Sequence, residues 1–177
     1  MRYFVYSVLA VCLSSALAYD FNYPNKNNIE VVCENAEAKK YIRIGEKYYF
    51  IEKSEKVSWF ESVHICRKFG GDLALIESAE EMNAISNYLL KEGYDNNARI
   101  WISGNDFITN HNYMSLTNGL PLAFTSWSIH QPDYPGIEHC IHLWRKDSAF
   151  QMNNWVCTQK ANYLCQRQSY TRCRDIY

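Results

Sequence analysis

Hydrophobic and aromatic positions alternate with polar ones from about residue 41, and the first such stretch predicts two strands around a turn. Residues 41–44 and 47–51 are rich in Tyr, Ile and Phe, and Gly45-Glu46 separates them. Runs of this kind on either side of a short glycine-containing segment are typical of a β-hairpin. A further apolar run, residues 73–76, predicts another short strand.

Two helices are predicted between these strands and residue 93. Each begins with a serine followed three residues later by a glutamate, the capping box, in which each side chain accepts a hydrogen bond from the other residue's backbone N–H. Ser58 with Glu61 is the first pair, and Ser78 with Glu81 is the second. Gly70-Gly71 and Gly93 are expected to end these helices. The apolar residues behind each box fall on one helix face: Trp59, Val63 and Cys66, then Met82, Ile85 and Leu89.

After Gly93 the pattern predicts short strands separated by long polar loops. The strands are expected at residues 100–102, 140–144 and 163–165, and Asn118-Gly119 predicts a hairpin turn. Long irregular loops in a compact domain usually carry function. We therefore look for a functional site in this second half of the chain.

Composition narrows the class of protein. The chain has 177 residues, of which 47% are hydrophobic and 21% charged, and its formal net charge is −1. This suits one domain with its own core and excludes a disordered chain. A nucleic-acid-binding protein needs a basic face to replace counterions, and a near-neutral chain does not provide one.

The N-terminal segment predicts secretion. Arg2 precedes the uncharged apolar run 3–13, and Ala16-Leu17-Ala18 is an A-x-A cleavage site. The run is too short to span a bilayer, so we interpret residues 1–18 as a signal peptide; a buried N-terminal strand is the alternative. Residues 19–32 would then be an N-terminal arm, and 33–177 one extracellular domain with its core at about 41–167. Removal of the signal peptide turns seven cysteines into six, an even number that indicates a disulfide framework with 15 possible connectivities.

Catalytic motifs are missing from the sequence. It contains no G-x-S-x-G, no H-E-x-x-H and no phosphate-binding glycine loop, so we do not predict an enzyme. His139, Cys140 and His142 could suggest a metal site. Strand alternation would place the two histidines on different faces, however, and Cys140 is needed for a disulfide.

Five residues in the second half offer oxygen ligands suited to calcium, which takes six to eight oxygens from carboxylates, amide carbonyls and water. An Asn- and Asp-rich loop is also commonly just a solvated turn. Pro132 lies between two of these residues, and a cis bond there could aim both side chains one way. The five residues are Gln131, Asp133, Glu138, Asn153 and Asn154.

A series of short motifs runs through residues 41–167 in a characteristic order. They are Trp59-Phe60-Glu61 with Cys66, Gly70-Gly71-Asp72-Leu73-Ala74, Ser78 with Glu81, Trp101-Ile102-Ser103-Gly104, Trp127, Gln131-Pro132-Asp133, Glu138-His139-Cys140, Met152-Asn153-Asn154 with Cys157, and Tyr163-Leu164-Cys165. In this order and over this length they resemble the C-type lectin domain family, and in particular its short, single-domain, secreted lectins of invertebrates.

The resemblance implies an α+β fold, the C-type lectin fold, with two helices, short antiparallel sheets and a long irregular ligand-binding loop. It also implies the disulfides Cys66–Cys165 and Cys140–Cys157. The fold brings its ends together, so we predict that Cys33 pairs with Cys173; two free or intermolecular thiols are the alternative.

For function, the resemblance implies that one loop-bound Ca²⁺ coordinates two vicinal hydroxyls of a sugar. Gln131 and Asp133 form the Q-P-D order typical of galactose-type specificity, the reverse of the mannose-type E-P-N, and Glu138 with Asn153 would bond the second hydroxyl. Tyr134 or Trp155 could stack on the sugar. The expected partners are galactose-containing glycans or glycoproteins. The alternative is a lectin-like domain that has lost calcium and binds a protein.

Three positions depart from the family pattern. Met152 replaces the Trp of W-N-D, a packing change, and Asn154 replaces its Asp, which removes one ligand charge and predicts a single, weak calcium site. Residues 134–137, between Asp133 and Glu138, are one residue shorter than usual, which puts the reach of Glu138 in question.

Overall fold

The computed structural model describes residues 41–134 and 136–167. The first half of this part contains both helices, and the second half contains strands only. In order they are β1 (Ile42–Ile44), β2 (Lys47–Val57), α1 (Trp59–Lys68), β3 (Gly71–Leu73), α2 (Ala79–Lys91), β4 (Arg99–Asn105), β5 (Met114–Ser115), β6 (Cys140–Lys146), β7 (Ala149–Trp155) and β8 (Ala161–Arg167).

The predicted hairpin is confirmed as β1 and β2. The two strands pair antiparallel with Ile42 opposite Tyr49, and Gly45 in the turn has a φ of 60°, a left-handed value that glycine adopts without strain. The strand expected at 73–76 is displaced, because β3 ends at Leu73. Beyond it the chain is buried but irregular, and its backbone bonds go to other segments: Ala74 N–H donates to Leu164 O at 2.9 Å.

Both predicted helices are present, with one difference at their starts. Ser58 and Glu61 form the complete capping box at α1. At α2 the box is half formed, because Ser78 caps the Glu81 N–H while the Glu81 carboxylate accepts instead from the Glu77 N–H, one residue before the cap. The same carboxylate also binds Lys47 at 3.0 Å and the Tyr49 hydroxyl, so it ties α2 to β2.

One sheet carries the described strands in the order β1-β2-β8-β4-β6-β7, with β3 on β8 and β5 on β4. The sequence predicted antiparallel sheets, and one pair departs from this. Strand β8 lies parallel to β4, with Ile100 opposite Asn162, whereas the other pairings of described strands are antiparallel. Strand β7 was not predicted, because Gln151, Asn153 and Asn154 interrupt its apolar pattern.

Two clusters of buried side chains flank the sheet, and each helix packs against one of them. Met82, Ile85 and Leu89 bring α2 onto the first cluster, which includes Ile100, Leu143 and Met152. Trp59, Val63 and Cys66 bring α1 onto the second, which includes Trp101 and Tyr163. The predicted apolar faces of both helices are therefore confirmed.

Both disulfides implied by the family resemblance are present. Cys66–Cys165 links α1 to β8 across 99 residues, and Cys140–Cys157 links the start of β6 to the chain just after β7. The predicted signal peptide (1–18), the N-terminal arm (19–32) and the Cys33–Cys173 pair lie outside the described residues. Within the described ranges, no helix is both long enough and apolar enough to cross a membrane.

Candidate functional site

The loop that carries the predicted ligands is fastened to strand β7 by backbone hydrogen bonds. Met152 N–H donates to Ser126 O at 2.7 Å, and Ser128 N–H donates to Met152 O at 2.8 Å. Gln131 N–H then donates back to Ser128 O at 3.0 Å. These bonds place the Gln131-Pro132-Asp133 segment beside the end of β7, where Asn153 and Asn154 lie.

Asn153 and Asn154 were expected in or beside a loop, but both lie in β7. The expectation fails because two adjacent amides disfavour a strand by composition, whereas here the full antiparallel pairing of β7 with β6 holds them. Asn154 is fully buried and Asn153 is 9% exposed. The strand fixes their positions more firmly than a loop would.

The side chain of Asn154 bonds two points of the ligand loop, the segment that runs from Gln131 to Glu138. Its Oδ1 accepts from Asp133 N–H at 3.0 Å. Its Nδ2 donates to Asp133 O and, at 3.0 Å, to Glu138 O. Asn154 thus holds residues 133 and 138 together through three hydrogen bonds.

Two of the predicted ligand oxygens are buried without a hydrogen-bond partner among the described residues. They are Oε1 of Gln131 and Oδ1 of Asn153. The Gln131–Pro132 bond is cis, the isomer considered from the sequence. Buried amide oxygens are normally satisfied, and an unsatisfied one calls for an explanation such as a missing ion or water.

Glu138 is brought beside Asp133 despite the shortened segment between them. A turn closes this segment, with Glu138 N–H donating to Tyr134 O at 3.2 Å. The pKa of Glu138 is raised to about 7, first by burial and then by the charge and hydrogen bond of Asp133, whereas the charge of Arg99 acts in the opposite direction. Two carboxyl groups this close favour a cation between or beside them.

The two aromatic candidates differ in how much of the ring is free. Tyr134 is 65% exposed at the tip of the loop. Trp155 packs against Trp101 with ring centroids 5.5 Å apart, and the Arg99 guanidinium lies 4.6 Å from its ring centroid. Tyr134 therefore presents a ring to solvent, whereas Trp155 is already in contact with the protein.

The sequence did not point to several groups around the site. Arg99 joins it through Trp155 and Glu138, and its pKa is lowered by burial. Asp106 is 1% exposed, and its carboxylate lies 2.8 Å from His139 Nδ1. The same carboxylate accepts a hydrogen bond from His111 N–H at 2.7 Å. No sequence motif identifies Arg99 or the Asp106–His139 pair, because neither an arginine before an apolar strand nor a single Asp–His pair has a characteristic spacing.

The donor set fits a hard cation better than a transition metal. Two carboxylates, together with two amide oxygens that have no partner in the described part of the chain, are the chemistry that calcium prefers. Within the described ranges, no group of three or more His, Cys, Asp or Glu side chains could hold a metal ion. The alternative around Cys140 is not supported, because Cys140 is in a disulfide and His142 is buried in the sheet with its pKa lowered to about 3 by desolvation.

Comparisons with known proteins agree with this fold. The lectin C-type domain family model matches residues 55–167. C-type lectin 37Db of Drosophila melanogaster is 36% identical over 126 residues, covering 71% of this chain and 80% of that protein. Lectin subunit alpha of Sarcophaga peregrina is 31% identical over 133 residues, covering 72% of this chain and 47% of that protein.

Solved structures give the same fold. The C-type lectin domain of murine dendritic cell inhibitory receptor 2, solved in complex with N-glycan, has a TM-score of 0.61 and 22% identity, and the match covers 74% of this chain and 98% of that one. The C-type lectin CEL-I from Cucumaria echinata has a TM-score of 0.63 and 20% identity, covering 72% and 94%. The chain therefore belongs to the C-type lectin domain family, a class of non-enzymatic carbohydrate-recognition domains.

Proposed function

We propose that this chain is a secreted, calcium-dependent lectin of galactose-type specificity. The observation that carries the proposal is that Oε1 of Gln131 and Oδ1 of Asn153 are buried without a partner among the described residues, on the loop and the strand that flank the adjoining Asp133 and Glu138 carboxyls. An ion that bonds to all four oxygens would satisfy the two amides and relieve the repulsion between the two carboxylates.

Four side chains would hold the ion: Gln131, Asp133, Glu138 and Asn153. Bound calcium supplies open coordination positions for two vicinal sugar hydroxyls. The side chains also bond those hydroxyls, since the amides of Gln131 and Asn153 donate and the carboxylates of Asp133 and Glu138 accept. Asn154, the fifth predicted ligand, already has both Nδ2 hydrogens and one lone pair of Oδ1 in use.

Galactose-type preference is supported by the order of donor and acceptor along the loop. Gln131 places a donor first and Asp133 an acceptor second, which by family resemblance matches galactose and not mannose. Tyr134 is the aromatic group best exposed to pack on the apolar face of the sugar. Galactose-bearing glycans or glycoproteins are the partners we expect.

Retention on galactose-agarose tests the proposal. The protein should bind in millimolar calcium and elute with EDTA, as expected for a site with two carboxylate ligands. Glu138→Gln and Asn153→Ala should abolish retention. Glu46→Gln is the matched control, because Glu46 is an exposed carboxylate beside Arg43 and away from the loop. Retention that survives EDTA would show that the calcium mechanism is wrong.

Secretion is supported by the sequence of residues 1–18 alone. Expression of the full chain in insect cells should deliver the protein to the medium with Tyr19 as its first residue. Cell-retained protein that still begins at Met1 would contradict this part of the proposal.

A second candidate is a C-type lectin-like domain that binds a protein without calcium. It is favoured by the engagement of Asn154 in loop hydrogen bonds, which leaves fewer free ligand oxygens. Isothermal titration with calcium separates the two candidates, since only the first predicts a heat signal that Glu138→Gln removes.

A further inference from the structure

We propose that Asn154 is a positioning residue that closes the ligand loop, of which residues 131–134 and 136–138 are described, by joining Asp133 to Glu138 without calcium. The inference extends the proposed function, but the hydrogen bonds that carry it join protein atoms alone. In this view the loop is already in its binding arrangement when the ion arrives.

The Asn154 side chain links two separate points of the loop backbone. The side chain rises from a paired strand, is fully buried, and reaches two points of the loop five residues apart. At Asp133 it bonds both the N–H and the C=O, and at Glu138 it bonds the C=O. An amide can do this because it carries a donor and an acceptor side by side.

The chemistry of the side chain is what makes the closure independent of an ion. A carboxylate, the group found at this position in the family's W-N-D pattern, could still accept from Asp133 N–H. It could not donate to the carbonyls of Asp133 and Glu138, and it would place negative charge against both oxygens. A carboxylate here needs a cation to hold the loop closed, whereas the amide does not.

Loop closure of this kind offsets part of the calcium affinity that is lost with the ligand charge. Replacing Asp by Asn lowers the attraction for calcium, but a preformed site does not have to order its loop on binding. Oε1 of Gln131 and Oδ1 of Asn153, both unpartnered among the described residues, would then already be in position.

Hydrogen–deuterium exchange on the full chain in EDTA tests the proposal. The peptide that covers residues 129–139 should be protected in the wild type without calcium. Asn154→Asp should raise its exchange rate by roughly tenfold to a hundredfold, the effect of losing one or two hydrogen bonds. Calcium should restore protection to Asn154→Asp while changing the wild-type rate little.

Asn162→Asp is the matched control. Asn162, on β8, is 4% exposed and its Nδ2 also donates to two carbonyls, those of Lys53 and Glu55. The control should lower overall stability without a selective rise in exchange at residues 129–139. Asn153→Ala, at the position next to Asn154, should remove calcium binding and leave the loop protected from exchange in EDTA.

The wild type alone can overturn the inference. If its loop exchanges in EDTA as fast as an unstructured peptide and becomes protected only with calcium, Asn154 does not hold the loop. Unchanged exchange in folded Asn154→Asp would overturn it equally. Neither result depends on sugar binding, so a failure of the galactose proposal would be seen separately, on galactose-agarose.

Discussion

Two adjacent residues of the same type have different contacts in this protein, because strand geometry directs their side chains differently. Asn153 and Asn154 are chemically identical and adjacent on β7, yet successive side chains of a strand point to opposite faces. Asn154 bonds the loop backbone three times, whereas Oδ1 of Asn153 has no partner within the described ranges. Asn154 is therefore a structural amide, whereas Asn153 is the amide that we propose as a calcium ligand.

The order of amide and carboxylate around Pro132 should set sugar preference. The double variant Gln131→Glu with Asp133→Asn reverses donor and acceptor while conserving the net charge. We expect the ratio of galactose to mannose affinity to change by about tenfold or more, because a mismatched hydroxyl leaves a polar group unpaired. Competition by the two free sugars on galactose- and mannose-agarose measures it; an unchanged ratio would argue against this pair as the determinant.

His142 should make the protein sensitive to acid. Desolvation lowers its pKa from 6.5 to about 3 in the folded protein. Below pH 6.5 the histidine is therefore protonated in the unfolded chain but stays neutral in the folded protein. The free energy of unfolding should fall by about 1.4 kcal/mol per pH unit toward pH 4.

Urea unfolding of calcium-free protein at several pH values measures this slope. His142→Phe should flatten it, since phenylalanine keeps the ring contacts with Trp101 and Trp155 without a titrating group. The exposed His64 on α1 gives the control variant His64→Gln, which removes a histidine without disturbing the core. Equal slopes in wild type and His142→Phe would contradict the assignment.

At the scale of elements, the two helix starts share a sequence pattern and differ in structure. Glu61 completes the capping box of α1 and meets Lys160 at the surface. Glu81 leaves its box incomplete and joins Lys47 and Tyr49, which draws α2 onto β2. Both helices begin with the same serine-to-glutamate spacing. The difference in capping therefore comes from the residues that the fold places opposite each glutamate.

This difference should appear as unequal costs of removing the two glutamates. Glu81→Ala is expected to cost about 1–3 kcal/mol of unfolding free energy, because it leaves the buried Tyr49 hydroxyl without its acceptor and removes one of the two carboxylates at Lys47, which keeps Glu77 at 2.6 Å. Glu61→Ala should cost clearly less, since that carboxylate is exposed. Urea denaturation at neutral pH measures both; equal costs would show that the Glu81 contacts add nothing beyond the cap.

At the scale of the molecule, the two disulfides act on different distances along the chain. Cys66–Cys165 spans 99 residues and closes most of the domain, whereas Cys140–Cys157 spans 17 and brackets the loop-facing strands β6 and β7. In the chain-entropy description, the longer loop restrains the unfolded chain more.

Removing each disulfide as a pair of alanines should therefore give different outcomes. We expect a loss of about 5 kcal/mol for Cys66→Ala with Cys165→Ala, and about 3 kcal/mol for Cys140→Ala with Cys157→Ala. The second variant should lose more galactose binding at a temperature where both remain folded, because it frees β6 next to Glu138. The reverse order of stabilities would contradict the chain-entropy account.

Local patterns predicted much of the fold because they depend on neighbours in sequence. Serine caps, the one-sided apolar faces of α1 and α2, and the turn at Gly45 are decided within a few residues, and each is present. Strand β7 escaped prediction because its polar residues are compatible with a strand only when β6 lies alongside. The parallel β8–β4 pair likewise depends on residues far apart in the chain.

The sequence by itself determined both helices, several of the strands, the family and the chemical types of the site residues, since these follow from order, spacing and functional groups. Only the tertiary structure decided which of those groups are already satisfied. Asn154 bonds the loop backbone, whereas Oδ1 of Asn153 has no partner among the described residues, because successive side chains of β7 leave the strand in opposite directions. The pKa of Glu138 rises to about 7 because folding buries it beside Asp133, a proximity that no local pattern encodes.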